Sequence, residues 1–243
     1  INAHHNLGVI YQGQGEMSKA LKSYETALRF DPDNYRSSVH FAQAEHLLAA
    51  LTGKTTKSAP RGYIENLFNN YAHSFEYSLV EELNYLGHKM ILETIKSLYP
   101  KSDFNHVLDL GCGTGLVGAE LRPFCKKLDG VDLSKSMLGE AKARGIYDRL
   151  TKSDITDYLS TSKLNYDLFI ASDVFIYVGE LRDIFRLIQS RNKRPGKIAF
   201  TTENTVRDGY FLEKSGRFSH SKKYIQHLCS QFKYNIIKTS FFN

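Results

Sequence analysis

The stretch that most constrains this chain runs from His106 to Leu116, His-Val-Leu-Asp-Leu-Gly-Cys-Gly-Thr-Gly-Leu. Val107, Leu108 and Leu110 form a short apolar run without helical period, the pattern of a buried parallel strand. Gly111, Gly113 and Gly115 then break it. They let the backbone turn sharply and come close to a ligand, and helical spacing resumes from Leu116 to Phe124. Strand, glycine loop and helix in that order predict a nucleotide cradle. A dinucleotide fingerprint needs G-x-G-x-x-G, and Leu116 stands where the third glycine would fall. The spacing is instead Asp-x-Gly-x-Gly-x-Gly, led by Asp109. A phosphate-binding or purely structural turn is the plainer reading of the same residues.

The segments that follow repeat the theme. Lys127 to Ser134 reads as a second strand ending in Asp132, about 20 residues after the loop, where an acid can meet a ribose. A carboxylate has two acceptor oxygens for two ribose hydroxyls, whereas Ser134 is the better cap for the helix from Lys135 to Arg144. A short strand lies between Asp148 and Asp154, and Tyr166 to Ser172 reads as another buried one. Ligands of open parallel sheets sit just beyond the strands' carboxyl ends, so the turn from Ser172 to Tyr177 is expected to line the reaction site. A helix from Leu181 to Ser190, a strand from Lys197 to Thr202 finishing at Glu203, an irregular stretch from Val206 to His220, a helix from Ser221 to Phe232 and a strand from Tyr234 to Phe242 complete the order. This alternation predicts an α/β fold with a doubly wound, mostly parallel sheet.

With its acid and three glycines, the loop resembles the first motif of the class I S-adenosylmethionine-dependent methyltransferases. That resemblance implies S-adenosylmethionine as cofactor, held by Asp109, Gly111, Cys112, Gly113, Asp132, Leu133 and Ser172. It also implies that Met137 packs on the adenine, and that Asp154 and Ile155 meet its amine and ring nitrogen; a helix N-cap is the plainer role for Asp154. Leu67 to Glu76 resembles the aromatic, alanine and acid element that folds over the cofactor in many small-molecule methyltransferases, with Tyr71 and Phe75 as the matching residues. An amphipathic helix accounts for these aromatics almost as well. No Asn-Pro-Pro-Tyr-type tetrapeptide follows the fourth strand, and no cysteine is placed to attack a pyrimidine. Both absences weigh against nucleic acid as the acceptor. A complete core of this family ends in an antiparallel seventh strand, so a further C-terminal segment is expected beyond residue 243.

Residues 1–34 carry a second pattern. Leu7, Gly8, Tyr11, Ala20, Tyr24, Ala27 and Pro32 fall at the spacings of a tetratricopeptide repeat, with His4 at the usual Trp position. Small Gly8 and Ala20 let two antiparallel helices approach, and Leu7, Ile10, Tyr11, Tyr24 and Leu28 are expected to fill the seam. Asp31-Pro32 should end the second helix. One repeat cannot bury its own faces, so a helix from Tyr35 to Leu51 is expected to cap it, and further repeats to precede it. Together these readings divide the chain into a small all-helical tetratricopeptide-type domain (1–51), a polar linker (52–60), a helical cap over the cofactor (61–100) and the sheet domain (101–243). Over nearly its full length, including Gly179-Glu180-Leu181 and the Ser-Gly-Arg-Phe-Ser-His-Ser block from Ser215, the chain resembles bacterial predicted methyltransferases carrying such repeats.

Composition narrows the setting. With 42% hydrophobic and 24% charged residues and no long apolar run, the pattern is that of an ordinary soluble protein. Cys112, Cys125 and Cys229 have neither metal-ligand spacing nor a disulfide framework, which points to a reducing, cytoplasmic setting. The +6 net charge is dispersed in short pairs, the pattern of solvated faces, and no metal site is expected. Methyl transfer from a sulfonium requires alignment and exclusion of water more than a dedicated constellation. Glu203 and His220 are the candidate bases, and Arg217 a candidate for holding an acidic substrate. The acceptor is expected to be a small molecule or a protein, with the repeat recruiting a peptide partner. A tetratricopeptide scaffold with a vestigial cofactor core is the rival reading.

Overall fold

The computed structural model describes residues 2–29, 39–75, 86–100, 104–161 and 163–241. Five parallel strands form its centre: β1 (Phe104–Leu110), β2 (Cys125–Asp132), β3 (Arg149–Lys152), β4 (Leu168–Ala171) and β5 (Lys197–Phe200), in the order β3-β2-β1-β4-β5. The order reverses between β1 and β4, which opens a crevice at their carboxyl ends. Val107, Leu108 and Leu110 of β1 are wholly buried because helices cover both faces. The helix Gly87–Leu98 sends Ile91, Leu92 and Ile95 onto one face, beside Val117 and Leu121 of Leu116–Leu121. Ile184, Phe185 and Ile188 of Arg182–Arg191 and Leu228 of Lys222–Gln231 cover the other. Gly87–Leu98 thus belongs to the layered sheet, and among the described helices of the expected cap only Arg61–Tyr71 lies outside that layer.

Two expected stretches differ. Val206 to His220 is not irregular, for β7 (Tyr210–Leu212) and β8 (Phe218–His220) pair antiparallel, and β6 (Glu203–Asn204) joins β8 in parallel. Conversely, residues 234–241 form no strand, and Ile236, Ile237 and Phe241 are exposed. Among the described residues nothing pairs with the outer edge of β5, and a strand cannot satisfy its N–H and C=O groups alone.

At the N-terminus, α1 (Asn2–Gly13) and α2 (Met17–Arg29) form the expected helical pair, and α3 (Val39–Leu51) packs on α2. A Cβ on Gly8 would lie 2.5 Å from the Tyr24 ring, so only glycine admits that fully buried side chain, whose hydroxyl donates to Gln12 Oε1 at 2.8 Å. Tyr11 and Leu28 flank this core, but Leu7 and Ile10 are exposed rather than in the seam. Their side of α1 is a face that a single repeat leaves uncovered. Asp31-Pro32 lies outside the described residues.

The 52–60 linker is an ordered strap. Gly179 and Glu180 N–H donate to Lys57 O at 2.9 and 2.8 Å, Ala59 N–H donates to Tyr177 O at 3.0 Å, and Leu212 N–H donates to Thr55 Oγ1 at 3.3 Å. His46 of α3 donates through Nε2 to Gly216 O at 2.9 Å, and Gln12 donates to Lys214 O at 3.0 Å. The helical unit is therefore fastened to the β7–β8 hairpin.

Candidate active site

The site begins where β1 ends. Gly111 and Cys112 N–H both donate to Val131 O, at 2.8 and 3.0 Å, which folds the glycine loop over the end of β2. Gly111 has φ 68°, and a Cβ there would lie 2.4 Å from Val174 Cγ2. Gly113, at φ 52°, donates to Asp132 Oδ2 at 2.9 Å, while Ser134 N–H donates to Oδ1 at 2.7 Å. Each carboxylate oxygen keeps a second lone pair for a ligand hydroxyl. Above Gly113 a Cβ would meet nothing within 4 Å, so a ligand can approach the backbone there. Burial raises the Asp132 carboxyl, and the N–H bonds from Ser134 and Gly113 oppose that rise.

Asp109 lies behind the loop. It is 2% exposed and accepts from the Tyr147 hydroxyl at 2.8 Å, and burial pushes its carboxyl up to about 7 against that hydrogen bond. Cys112 also turns inward: a Cβ on Gly130 would lie 2.9 Å from its sulfur, and burial raises its thiol, so the residue offers the crevice backbone only. Met137 is buried too, its N–H held by Ser134 Oγ at 3.1 Å. Leu133 and Ser172 are half-buried at the crevice ends of β2 and β4.

Asp154 is engaged as the plainer reading expected. Its Oδ1 accepts from Thr156 and Asp157 N–H at 2.8 and 3.2 Å, capping the short helix Ile155–Leu159. Its Oδ2 lies 3.1 Å from Arg61 Nε. Ile155 packs against the core beneath.

Arg61 opens α4 (Arg61–Tyr71), which crosses this half of the sheet. Its guanidinium also pairs with Asp157 at 2.6 and 3.0 Å. Glu65 meets Lys152 at 2.6 Å, Asn69 accepts from Ser134 Oγ and Ser136 N–H at 2.7 and 3.2 Å, and His73 meets Glu140 at 3.0 Å. These four positions, each four apart, form one polar stripe that sequence reading missed although its helical period was visible. From the same helix, Tyr71 packs edge-on against Phe75, Phe75 against Phe68 and Phe68 against Tyr177, which carries an aromatic cover to the turn after β4.

The two candidate bases are both occupied. His220 is 1% exposed, donates through Nε2 to Val178 O and Gly179 O at 3.0 and 2.9 Å, and takes the Thr202 hydroxyl at Nδ1. Burial holds its pKa down to about 4, so it is neutral and pins β8 to the turn. Glu203 pairs with Arg217 at 3.3 Å. Among the described residues no group of three metal-ligating side chains converges, and no helix is long and apolar enough to cross a membrane.

Comparison with known proteins agrees with this geometry. Residues 107–196 match the family described as methyltransferase domain, and residues 1–34 the tetratricopeptide repeat. The chain is 28% identical over 139 residues to a ribosomal RNA small subunit methyltransferase C of Aliivibrio salmonicida, spanning 51% of this chain and 39% of the relative. It is 26% identical over 154 residues to a ubiquinone biosynthesis O-methyltransferase of Rickettsia bellii, spanning 60% and 63%. Neither relative is covered over two thirds of its length. A magnesium protoporphyrin IX methyltransferase from Synechocystis, solved with bound S-adenosylhomocysteine, superposes at TM-score 0.58 and 17% identity, over 73% of this chain and 90% of that one. The glycine loop, its acid one strand over, the strand order and these matches identify residues 107–196 as a class I S-adenosylmethionine-dependent methyltransferase domain, carried behind an N-terminal tetratricopeptide repeat.

Proposed function

We propose that this protein transfers a methyl group from S-adenosylmethionine to a small-molecule or protein acceptor, with the repeat unit as the module that docks a partner. One observation carries the reading: the Gly113 and Ser134 N–H groups orient Asp132 under open space at the switch between β1 and β4. Asp132 would take the ribose hydroxyls, the loop backbone the methionyl part, and Leu133 and Ile155 the faces of the adenine. When bound, the cofactor supplies an electrophilic methyl on a positively charged sulfur. The chain's own contribution is to align the acceptor and exclude water, through α4 with its aromatic cover and the turn from Ser172 to Tyr177. In this reading residues 1–51 dock, 52–60 strap, Arg61–Tyr71 covers, and 87–241 carry the sheet.

Calorimetric titration with S-adenosylhomocysteine, followed by incubation with a labelled methyl donor, tests it. Saturable binding and label in an acceptor are expected. A flat titration removes the enzymatic reading and leaves the scaffold.

A further inference from the structure

The turn after β4 holds an acid that the reading above does not use. Asp173 has φ 60°, a left-handed conformation that aspartate and asparagine tolerate better than most residues. It sits beside the glycine loop: β1 and β4 are in register at Asp109 and Ile170, and the neighbouring Val174 fills the space that a Gly111 side chain would need. Thr201, at the end of β5, accepts from Asp173 N–H at 2.8 Å, and its hydroxyl lies 3.4 Å from Asp173 Oδ1. Ser172 Oγ lies 3.4 Å from Asp173 Oδ2, and His88, Tyr177 and Arg217, from three different segments, are within electrostatic reach of Asp173. Burial keeps His88 low and therefore uncharged near neutrality. Arg217 is paired with Glu203, so it offers an incoming anion only a shared guanidinium. Asp173, Glu203 and Arg217 put two carboxylates and one guanidinium on this wall, with the Tyr177 and Phe68 rings meeting at 5.4 Å beside it.

We propose that the methyl acceptor is an amine nitrogen facing Asp173, and that Asp173 selects it over phenolate or carboxylate oxygen. This rests on the methyl-transfer reading and specifies its substrate class. An amine that arrives protonated first loses one proton to water, and Asp173 stays ionised. The nitrogen lone pair then forms the N–C bond as the C–S bond breaks, and sulfur keeps that bond's electron pair. Positive charge moves from sulfur to nitrogen, and a further proton leaves the nitrogen to water. A carboxylate beside the nitrogen is therefore stabilising most where the charge develops. With an anionic oxygen acceptor the same transfer cancels two charges, and the Asp173 carboxylate repels that acceptor on approach. An aromatic face next to a carboxylate suits an ammonium for the same electrostatic reason.

Asp173→Asn keeps the left-handed backbone and removes the charge. Its probe is sinefungin, a cofactor analogue with an amine where the methyl group would be, compared with uncharged-sulfur S-adenosylhomocysteine. Calorimetry should show sinefungin weakened about tenfold or more, as for a lost hydrogen bond to a charged group, with S-adenosylhomocysteine changed less than about twofold. Equal losses for both, or none for either, overturn the assignment of Asp173. If S-adenosylhomocysteine fails to bind the wild-type protein, it is the underlying methyl-transfer reading that falls. With a labelled donor, phenethylamine and ethanolamine should take label, less so in Asp173→Asn, and catechol and benzoate should not. Label in catechol or benzoate in preference to the amines overturns the acceptor class.

Discussion

On the β1–β2 side of the crevice, the group offered to a ligand is one carboxylate, oriented by backbone N–H donors. Gly113 and Ser134 hold Asp132, and the loop itself hangs from Val131 O. On the β4–β5 side, the wall is made of side chains drawn from distant parts of the chain: Asp173 and Tyr177 after β4, Glu203 after β5, and Arg217 from a hairpin that His46 and Gln12 of the helical unit hold in place. The first side is a local motif that one strand, one loop and one neighbour suffice to build. The second exists only once the repeat unit, the strap and the small sheet have come together. A cofactor common to many reactions suits the first kind of construction, and a particular acceptor suits the second.

The sharpest way to break this contrast is at Asp132. Asp132→Ala removes the acceptor for two hydroxyls, and the loss of two hydrogen bonds to a charged group, about 3 kcal/mol together, should weaken S-adenosylhomocysteine about 100-fold by calorimetry. An unchanged affinity would mean that the β1–β2 side is not the cofactor's. Next comes Gly111→Ala, which places a Cβ against Val174 in left-handed backbone. Urea unfolding should show a loss of about 2 kcal/mol, and Val174→Ala should recover only the steric part.

A smaller effect sharpens the contrast through pH. The Asp109 carboxyl, near 7 in the fold, titrates near ~3.9 in an unfolded chain, so the folded state holds its proton across that interval. Stability should fall as pH rises from about 4 to about 7, then level off. Cofactor affinity should move the opposite way, tightening several-fold between about pH 6 and about pH 8, because the positive sulfonium favours the ionised acid. Asp109→Asn should flatten both profiles; a wild-type affinity independent of pH would place Asp109 out of electrostatic reach of the cofactor. The smallest effect belongs to the lid. Arg61→Ala removes exposed pairs to Asp154 and Asp157, each worth about 1 kcal/mol or less, so S-adenosylmethionine affinity should fall only about two- to fivefold, and less at high salt.

Sequence reading reached what is local. The Asp109-to-Gly115 run and Asp132 were legible because their contacts lie in one strand, one loop and the next strand. The tetratricopeptide spacing was legible because Gly8 and Tyr24 meet within one helical pair. Cys112 and Met137 were harder, since a motif specifies a position along the backbone but not the side to which its side chain turns. His220 looked like a base from its place in an irregular stretch, whereas in the fold both ring nitrogens hold neighbouring segments. Asp173 was legible only as one residue of the turn expected to line the reaction site, because its backbone conformation and its neighbours from other segments appear only after folding.

By itself, then, the amino-acid order determined a parallel sheet with a glycine-lined ligand edge and a helical repeat in front, because buried strands, loop glycines and helical spacing are written in consecutive residues. Only the tertiary structure decided that the polar linker is a strap, that the third helix supports the hairpin bearing Arg217, and that the acid after β4 sits in left-handed backbone tied to the end of β5. Those arrangements depend on contacts between residues far apart along the chain, and no local pattern records which distant surfaces will meet.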